Sequence, residues 1–418
     1  MPSMRKFLFL LYCFLSAFSA GAQSALTLTQ TEDLFQQNNL QLLAEQYNIT
    51  AAEAQVIQAR IWDQPYLNAE INAINPQQNQ VFDAGRHGQK QIAVQQLFVL
   101  GGKRRKEVDF AKSNVELARI QYEQLLRTLR YQIHQAFYTL YFNQVKANAI
   151  GTRIRNIDTL VQAYQVQVDK GNIPLKDLVR LRGLSLSLKS EQRTILDESL
   201  VQQETLKVLT GNSEAMTPIL LRDTLDARLE MPLSYSEEGL MQLTLERNPE
   251  YRYATQIIES DRLRLRWQQS LAVPDVTLGG SYDQMGGAFQ NQTNLTLGIP
   301  IPLWNRNRGN IKQAQAVLSQ SSVLKDQTAR ELSARVSTAY QIYRRQQTQY
   351  QQLKDSYRQF EEVLNGMLLN FQRRNVSLIE FTDFIENYNS SMIFIYDTEA
   401  QLLLTGDTLE YLTNEKLL

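Results

Sequence analysis

The sequence has one cysteine, Cys13, and two histidines, His87 and His134, in 418 residues. Cys13 sits in an apolar run near the start. Beyond that run there is no thiolate chemistry and no disulfide. Neither histidine has the cysteine or histidine company of a transition-metal site, so no metal and no cofactor is expected. No later apolar stretch reaches the ~20 residues that a membrane-spanning helix needs. An excess of one charge is missing too, with 43 Lys+Arg against 43 Asp+Glu. Without Arg5 and Lys6 the balance is 41 to 43, which argues against a nucleic-acid partner. Gly101-Gly102 lacks the Lys-Ser/Thr context of a phosphate loop, and no nucleophile lies beside a base. The sequence does not read as an enzyme.

What is present begins with a leader. Arg5 and Lys6 precede the apolar run Phe7–Phe18, and Ala20-Gly21-Ala22 fits small-x-small cleavage, so residues 1–22 read as a signal peptide. The alternative is an N-terminal membrane anchor. Cys13 is not at the cleavage site, so no lipid anchor is expected. A secreted chain without an apolar helix is still able to cross a membrane by β-strands, because a closed barrel satisfies its backbone in lipid.

An internal duplication organises the rest. An offset of 203 residues pairs Val108 with Ile311, Ala111 with Ala314, Leu129 with Leu332, Ala136 with Ala339, Asn172 with Asn375, Leu175 with Leu378 and Asp177 with Glu380. Upstream, Pro65 and Pro274 match at an offset of 209. The first repeat covers 23–211 and the second 236–412, with a connector at 212–235 and a tail at 413–418. Each half reads as a helix (Thr29–Asp63, Ser236–Leu271), two alternating strands, a very long helix, a tight turn and a return helix of about 35 residues.

The long helix carries a heptad seam: Val108, Ala111, Val115, Ala118, Tyr122, Leu125 and Leu129, resuming at Ile133, Ala136 and Leu140 after a stutter. Between Lys103 and Asp169 there is no proline and one glycine, Gly151. A helix of that extent is roughly 100 Å long, the length of a strut. The first turn is Lys170-Gly171-Asn172-Ile173-Pro174, with Gly171 suited to a left-handed position. The second is Arg374-Asn375-Val376-Ser377, with Asn375 in place of glycine and Ser377 as N-cap.

The strand segments Leu67–Ile74, Gln91–Phe98, Val276–Asp283 and Asn294–Ile299 alternate apolar with polar, as a wall between lipid and water does. An ordinary soluble half-buried sheet would alternate in the same way. Four strands do not close a barrel, and an open sheet edge is not viable in hydrocarbon. The barrel reading therefore requires copies of the chain, and three copies give twelve strands. The basic cluster Lys103-Arg104-Arg105-Lys106 reads as a solvated strand-to-helix junction, with binding to anionic lipid headgroups or nucleic acid as the alternative.

Gln96-Leu97-Phe98-Val99-Leu100-Gly101-Gly102-Lys103-Arg104, the run Ile299–Ile311 containing Pro300-Ile301-Pro302-Leu303-Trp304-Asn305-Arg306-Asn307, and the two turns resemble the TolC family of outer-membrane efflux proteins. They are most similar to its CzcC/CusC-type heavy-metal subgroup. The resemblance implies a mainly α fold with a small antiparallel β part, a homotrimer with a twelve-stranded barrel in outer-membrane lipid, and a long periplasmic α-barrel. It also implies a periplasmic adaptor and an inner-membrane pump of the resistance-nodulation-division type, the substrates being metal cations among others. The turns become adaptor-docking tips: Gly171, Asn172, Ile173, Pro174 and Leu175, and Asn375, Val376, Ser377 and Leu378. Glu380 and Asp383 become candidates for a periplasmic gate, because three-fold symmetry turns each acid into a ring that favours cations. The plainer reading is that both acids complement a helix dipole. Two alternatives stay open: a type I secretion exit duct with the same fold, and a secreted coiled-coil scaffold.

Overall fold

The computed structural model describes residues 24–286 and 288–417, so the leader lies outside the described residues. In chain order the elements are β1 (Ser24–Leu26), α1 (Leu28–Asn38), α2 (Leu40–Arg60), β2 (Tyr66–Asn75), β3 (Gln80–Asp83), β4 (Gln89–Phe98), α3 (Lys103–Asp169) and α4 (Leu175–Thr210). Then come β5 (Met216–Pro218), α5 (Arg222–Glu230), α6 (Glu237–Arg247), α7 (Pro249–Ser270), β6 (Val276–Met285), β7 (Phe289–Gly298), α8 (Arg308–Gln372) and α9 (Leu378–Thr413). The fold is mainly α with a small antiparallel sheet, as the sequence implies.

The 203-residue repeat is carried into the helix bounds. α4 and α9 are both 36 residues long and start and stop at equivalent positions. The seam residues Ala111, Val115, Ala118, Leu129, Ile133, Ala136 and Leu140 are buried, as a heptad stripe requires. One expectation is corrected. The helices expected over Thr29–Asp63 and Ser236–Leu271 are each broken in two, at Asn39 and at Asn248. These asparagines are equivalent at the offset of 209. Both are extended at the break, with ψ of 113° and 124°, so the helical ladder stops there. The caps repeat as well: Thr27 accepts from Gln30 N and Ser236 from Gly239 N.

The chain divides into two compact units, and both repeats contribute to each. One unit, 44–123 with 249–330, holds the sheet, whose strand order is β3-β2-β4-β6-β7. β4 joins the halves by pairing antiparallel with β6 along its whole length, from Gln89↔Met285 to Phe98↔Val276. β3 is one strand more than expected and pairs with the C-terminal half of β2. The register sorts the side chains by face. Leu67 opposes Val94, Val94 opposes Gly280, Gly280 opposes Leu295, and Leu278 opposes Leu297. Directly opposed residues point to one side, so that face is largely apolar, with Lys90, Gln96 and Gln284 among its polar members. The other carries Asn68, Glu70, Gln91, Gln95, Ser281, Asp283 and Asn294. Leu67, Val94, Leu295 and Leu297 are exposed. Among the described residues β7 is hydrogen-bonded to β6 alone.

At the junction below this sheet, Lys103 Nζ lies 2.6 Å from Asp275 Oδ1 and Arg104 stacks 3.7 Å from the Trp62 ring centroid. Lys106 Nζ also donates to Gly101 O over 3.1 Å, so three of the four basic side chains are used inside the chain, which favours the junction reading of the cluster. No described helix is long and apolar enough to cross a membrane.

The other unit, 24–43 with 124–248 and 331–417, holds both turns and most of the buried core. β1 and β5 pair in parallel, Ser24↔Met216 to Leu26↔Pro218. Towards the turns, Ile150, Ile154, Ile157, Leu184 and Leu188 of the first hairpin meet Phe371, Phe381 and Ile385 of the second in one cluster. Phe381 is fully buried and stacks on Phe371 with centroids 4.1 Å apart. Burying each such ring stabilises the unit by roughly 1.5–3 kcal/mol.

Candidate functional site

The two turns are built to one plan. Asn172 N donates to Gln167 O and Asn375 N to Asn370 O, each over 2.9 Å. The residue before each asparagine closes a second bond, Gly171 N to Val168 O and Arg374 N to Phe371 O. This is the paired bonding of a Schellman end, and it needs a left-handed residue. Gly171 supplies it at φ 73°. In the second turn Arg374 supplies it at φ 62°. The sequence reading gave that place to Asn375, and the structure corrects it: Arg374 is the equivalent of Gly171, and Asn375 of Asn172. Both asparagine side chains reach back into their own helix, Asn172 Nδ2 to Gln167 Oε1 at 2.8 Å and Asn375 Nδ2 to Asn370 Oδ1 at 3.3 Å.

The exits from the turns differ. Pro174 precedes α4 with no side-chain cap. Ser377 caps α9 in a reciprocal box: Glu380 N donates to Ser377 Oγ, and Ser377 N donates to Glu380 Oε2 over 2.9 Å. These bonds from the Ser377 backbone and hydroxyl hold the Glu380 carboxyl below the usual glutamate range. Glu380 and Asp383 are both exposed. Of the tip residues, Gly171, Asn172, Pro174, Leu175, Asn375 and Ser377 are exposed, while Val376 and Leu378 pack on the hairpin cluster. Glu380 thus has the local capping role in this chain, and Asp383 lies one turn further along the same helix.

A second constellation escaped the sequence reading. His134 on α3 lies 2.7 Å from Glu32 Oε1 through Nε2 and 3.4 Å from Asp407 Oδ2 through Nδ1. Arg130 reaches Glu32, and Arg228 of α5 lies 2.6 Å from Asp407 and close to the Tyr138 hydroxyl. Burial disfavours the charged imidazole, but hydrogen bonds with Asp407 and Glu32 and the charges of both acids outweigh it, raising His134 to about 9. The cluster ties α1, α3, α5 and α9 together. Among the described residues no group of His, Cys, Asp and Glu is arranged to hold a metal ion. The only sequence signal was a histidine on a helix of apolar seam. Its partners lie about one hundred residues upstream and some 270 downstream in sequence, which no local pattern reports.

A duplicated helical hairpin, a sheet of ten-residue strands and two tight turns with exposed tips define the fold. Residues 240–392 match the family model described as "Outer membrane efflux protein". It is similar to the cobalt-zinc-cadmium resistance protein CzcC of Cupriavidus metallidurans, at 22% identity over 71% of this chain and 68% of the relative. Its fold is similar to that of CusC, with a TM-score of 0.74 and 16% identity over 92% of this chain and 91% of the other. It is also similar to the CmeC outer membrane channel of Campylobacter jejuni, with a TM-score of 0.75 and 13% identity over 93% and 86% of the two chains.

Proposed function

We propose that the chain is one third of a trimeric outer-membrane duct. In this reading it passively conducts substrates received from a periplasmic adaptor and an inner-membrane pump, and divalent metal cations are among those substrates. The observation that carries it is the sheet. Four ten-residue strands present a largely apolar face on which Leu67, Val94, Leu295 and Leu297 are exposed, and among the described residues nothing pairs with the outer edges of the sheet. Such edges are stable in lipid only when joined to copies of themselves. Three copies supply twelve strands, a wall wide enough for a lumen. The long hairpins then extend the wall into the periplasm, and their tips are the surfaces an adaptor meets. The metal preference rests on the likeness to the cobalt-zinc-cadmium resistance protein and on the two acids beside the second tip. The test has two arms. Detergent extracts of outer membranes should contain the protein as a trimer; recovery from the soluble periplasmic fraction sinks the duct. A disrupted strain should become sensitive to cobalt, zinc or cadmium and regain resistance with the gene. Unchanged metal sensitivity together with sensitivity to dyes or detergents removes the metal assignment and keeps the duct.

A further inference from the structure

The apolar alternation of β7 does not stop where the strand does. Leu295 and Leu297 lie on the largely apolar face of the sheet, and the same spacing continues beyond Gly298 to Ile299, Ile301 and Leu303, all exposed. Trp304 follows at 93% exposure. The first repeat does not do this. At the offset of 203, Phe98 and Leu100 stand for Ile301 and Leu303, and Gly101 stands for Trp304. Phe98 is still paired with Val276, and Leu100 N donates to Asp275 Oδ1 over 2.9 Å. Phe98 and Leu100 are 38% and 42% exposed, against 75% and 63% for Ile301 and Leu303. Four large apolar side chains exposed within residues 299–304 mark a contact surface rather than a solvated loop.

The backbone of this segment suits a medium without water. Pro300 and Pro302 have no N–H to leave unpaired, and Leu303 N donates to Ile301 O over 2.9 Å. The far end is fixed. Asn307 turns the chain into α8 at φ 56°, and its Nδ2 donates to Gln268 O over 2.7 Å. Directly after the apolar run come Arg306, Arg308 and Lys312, all exposed. No acidic residue stands between Asp283 and Asp326, so none close in sequence neutralises these cations. Aliphatic side chains, then tryptophan, then cations is the order in which a chain leaves hydrocarbon through the headgroup layer.

We infer that residues 299–304 lie in the boundary layer of a phospholipid leaflet, and that Arg308 and Lys312 meet its anionic headgroups. This rests on the duct reading above and names the lipid met by one edge of the sheet. The leaflet is the periplasmic one, because α8 begins here and runs into the periplasm in that reading. The competing occupant is a second copy. A copy that adds a strand to β7 does so through backbone groups in the plane of the sheet, and leaves the side chains on its faces uncovered. The uninterrupted positive charge also matches a negative surface better than it matches another copy of the same segment.

The chain beyond the leader has no cysteine, so one introduced thiol reports one place. Ile301→Cys carries a nitrobenzoxadiazole dye, and Gln320→Cys, at an exposed position of α8, carries the same dye as reference. Both full-length proteins are placed in nanodiscs of phosphatidylcholine and phosphatidylglycerol. A spin label on the lipid should quench the dye on Ile301→Cys while aqueous iodide does not, and for Gln320→Cys the order should reverse. Iodide quenching of both dyes alike, or protection of the Ile301→Cys dye from both quenchers, overturns the proposal. A trimer by sedimentation leaves the duct standing in either case, whereas a monomer overturns both. The charge is read separately, by energy transfer from the Ile301→Cys dye to phosphatidylglycerol or phosphatidylcholine labelled on an acyl chain. Phosphatidylglycerol should be enriched severalfold around the protein, and adding Arg308→Gln with Lys312→Gln should abolish the preference while the trimer persists. Equal transfer to the two lipids without those substitutions overturns the anionic assignment.

Discussion

Asn39 and Asn248 make the same hydrogen bond in the two halves of the chain. Asn39 Nδ2 donates to Leu209 O over 2.8 Å, and Asn248 Nδ2 to Leu412 O over 2.7 Å. Donors and acceptors are both repeat equivalents, at offsets of 209 and 203. Each asparagine is buried, and each stands where a helix breaks. The Asn39 side-chain oxygen also accepts from Leu42 N, so one residue caps α2 and anchors the end of α4. Replacing Asn39 by Asp keeps the cap and removes the donor. It should destabilise the chain by about 1–3 kcal/mol, because the Leu209 carbonyl is left buried without its partner. Asn39→Ala should cost more, by the ~1 kcal/mol of a lost cap. Denaturant titration of the purified protein in detergent compares the two; equal losses would deny the cap any role, and no loss in Asn39→Asp would deny the donor one.

His134 makes stability depend on pH in a definite direction. Its folded value is raised to about 9, above the 6.5 of an exposed histidine. The contribution is therefore fully present below pH 6.5 and is lost as pH rises through 9. At ~1.4 kcal/mol per unit the effect is roughly 3 kcal/mol. The melting temperature should fall between neutral pH and pH 9.5 in the parent, and the fall should be smaller in His134→Gln. Glu32 acts in the opposite sense. Burial raises its carboxyl, but the His134 hydrogen bond and the charges of His134 and Arg130 bring it below the ordinary value. Its stabilisation is present above the unfolded value and lost as pH falls through the folded one. An identical pH profile in His134→Gln would remove the cluster from this role.

The distribution of these features explains which parts of the fold were legible. The heptad seam and the 203-residue repeat are periodic, so α3, α4, α8 and α9 are readable residue by residue. The helix breaks were not. Pro249 follows Asn248 directly, but proline at a first helical position is compatible with a helix that is only beginning, and Asn39 precedes Leu40 with no proline at all. Their signature is a buried carbonyl some 170 residues away. The His134 cluster was hidden for the same reason. The tips were located by Gly171 and by Ser377, yet the left-handed residue of the second turn was misplaced by one. Asparagine tolerates positive φ better than arginine, so local preference pointed to Asn375 while the hydrogen-bond pattern selects Arg374.

That misfit has a measurable cost. A left-handed conformation costs a residue with a Cβ about 1–2 kcal/mol, and Arg374 adopts it at φ 62° with an exposed side chain. Arg374→Gly should stabilise the second hairpin by about 1 kcal/mol, less the extra chain entropy of glycine. Gly171→Ala should destabilise the first by a similar amount. No atom lies within 4 Å of a Cβ added there, so the cost is that of the backbone alone. Hydrogen exchange of the turn amides reads both effects locally. Faster exchange in Arg374→Gly would show that the arginine side chain holds the turn.

The candidate gate can be separated from the helix cap because glutamine retains the capping geometry and loses the charge. Glu380→Gln should leave α9 intact, since Gln30 completes the same box with Thr27 in α1. If the carboxylates form a cation-selective ring at the entrance, Glu380→Gln with Asp383→Asn should reduce cation preference in planar bilayers, with thermal stability close to the parent. Glu380→Ala breaks the box and should lower stability by about 1 kcal/mol besides. The pair of measurements decides between the roles. A loss of selectivity in the Gln/Asn variant assigns the charge to conduction. A loss of stability in Glu380→Ala alone, with selectivity unchanged in both variants, leaves Glu380 as the cap of α9 and removes Asp383 from the gate.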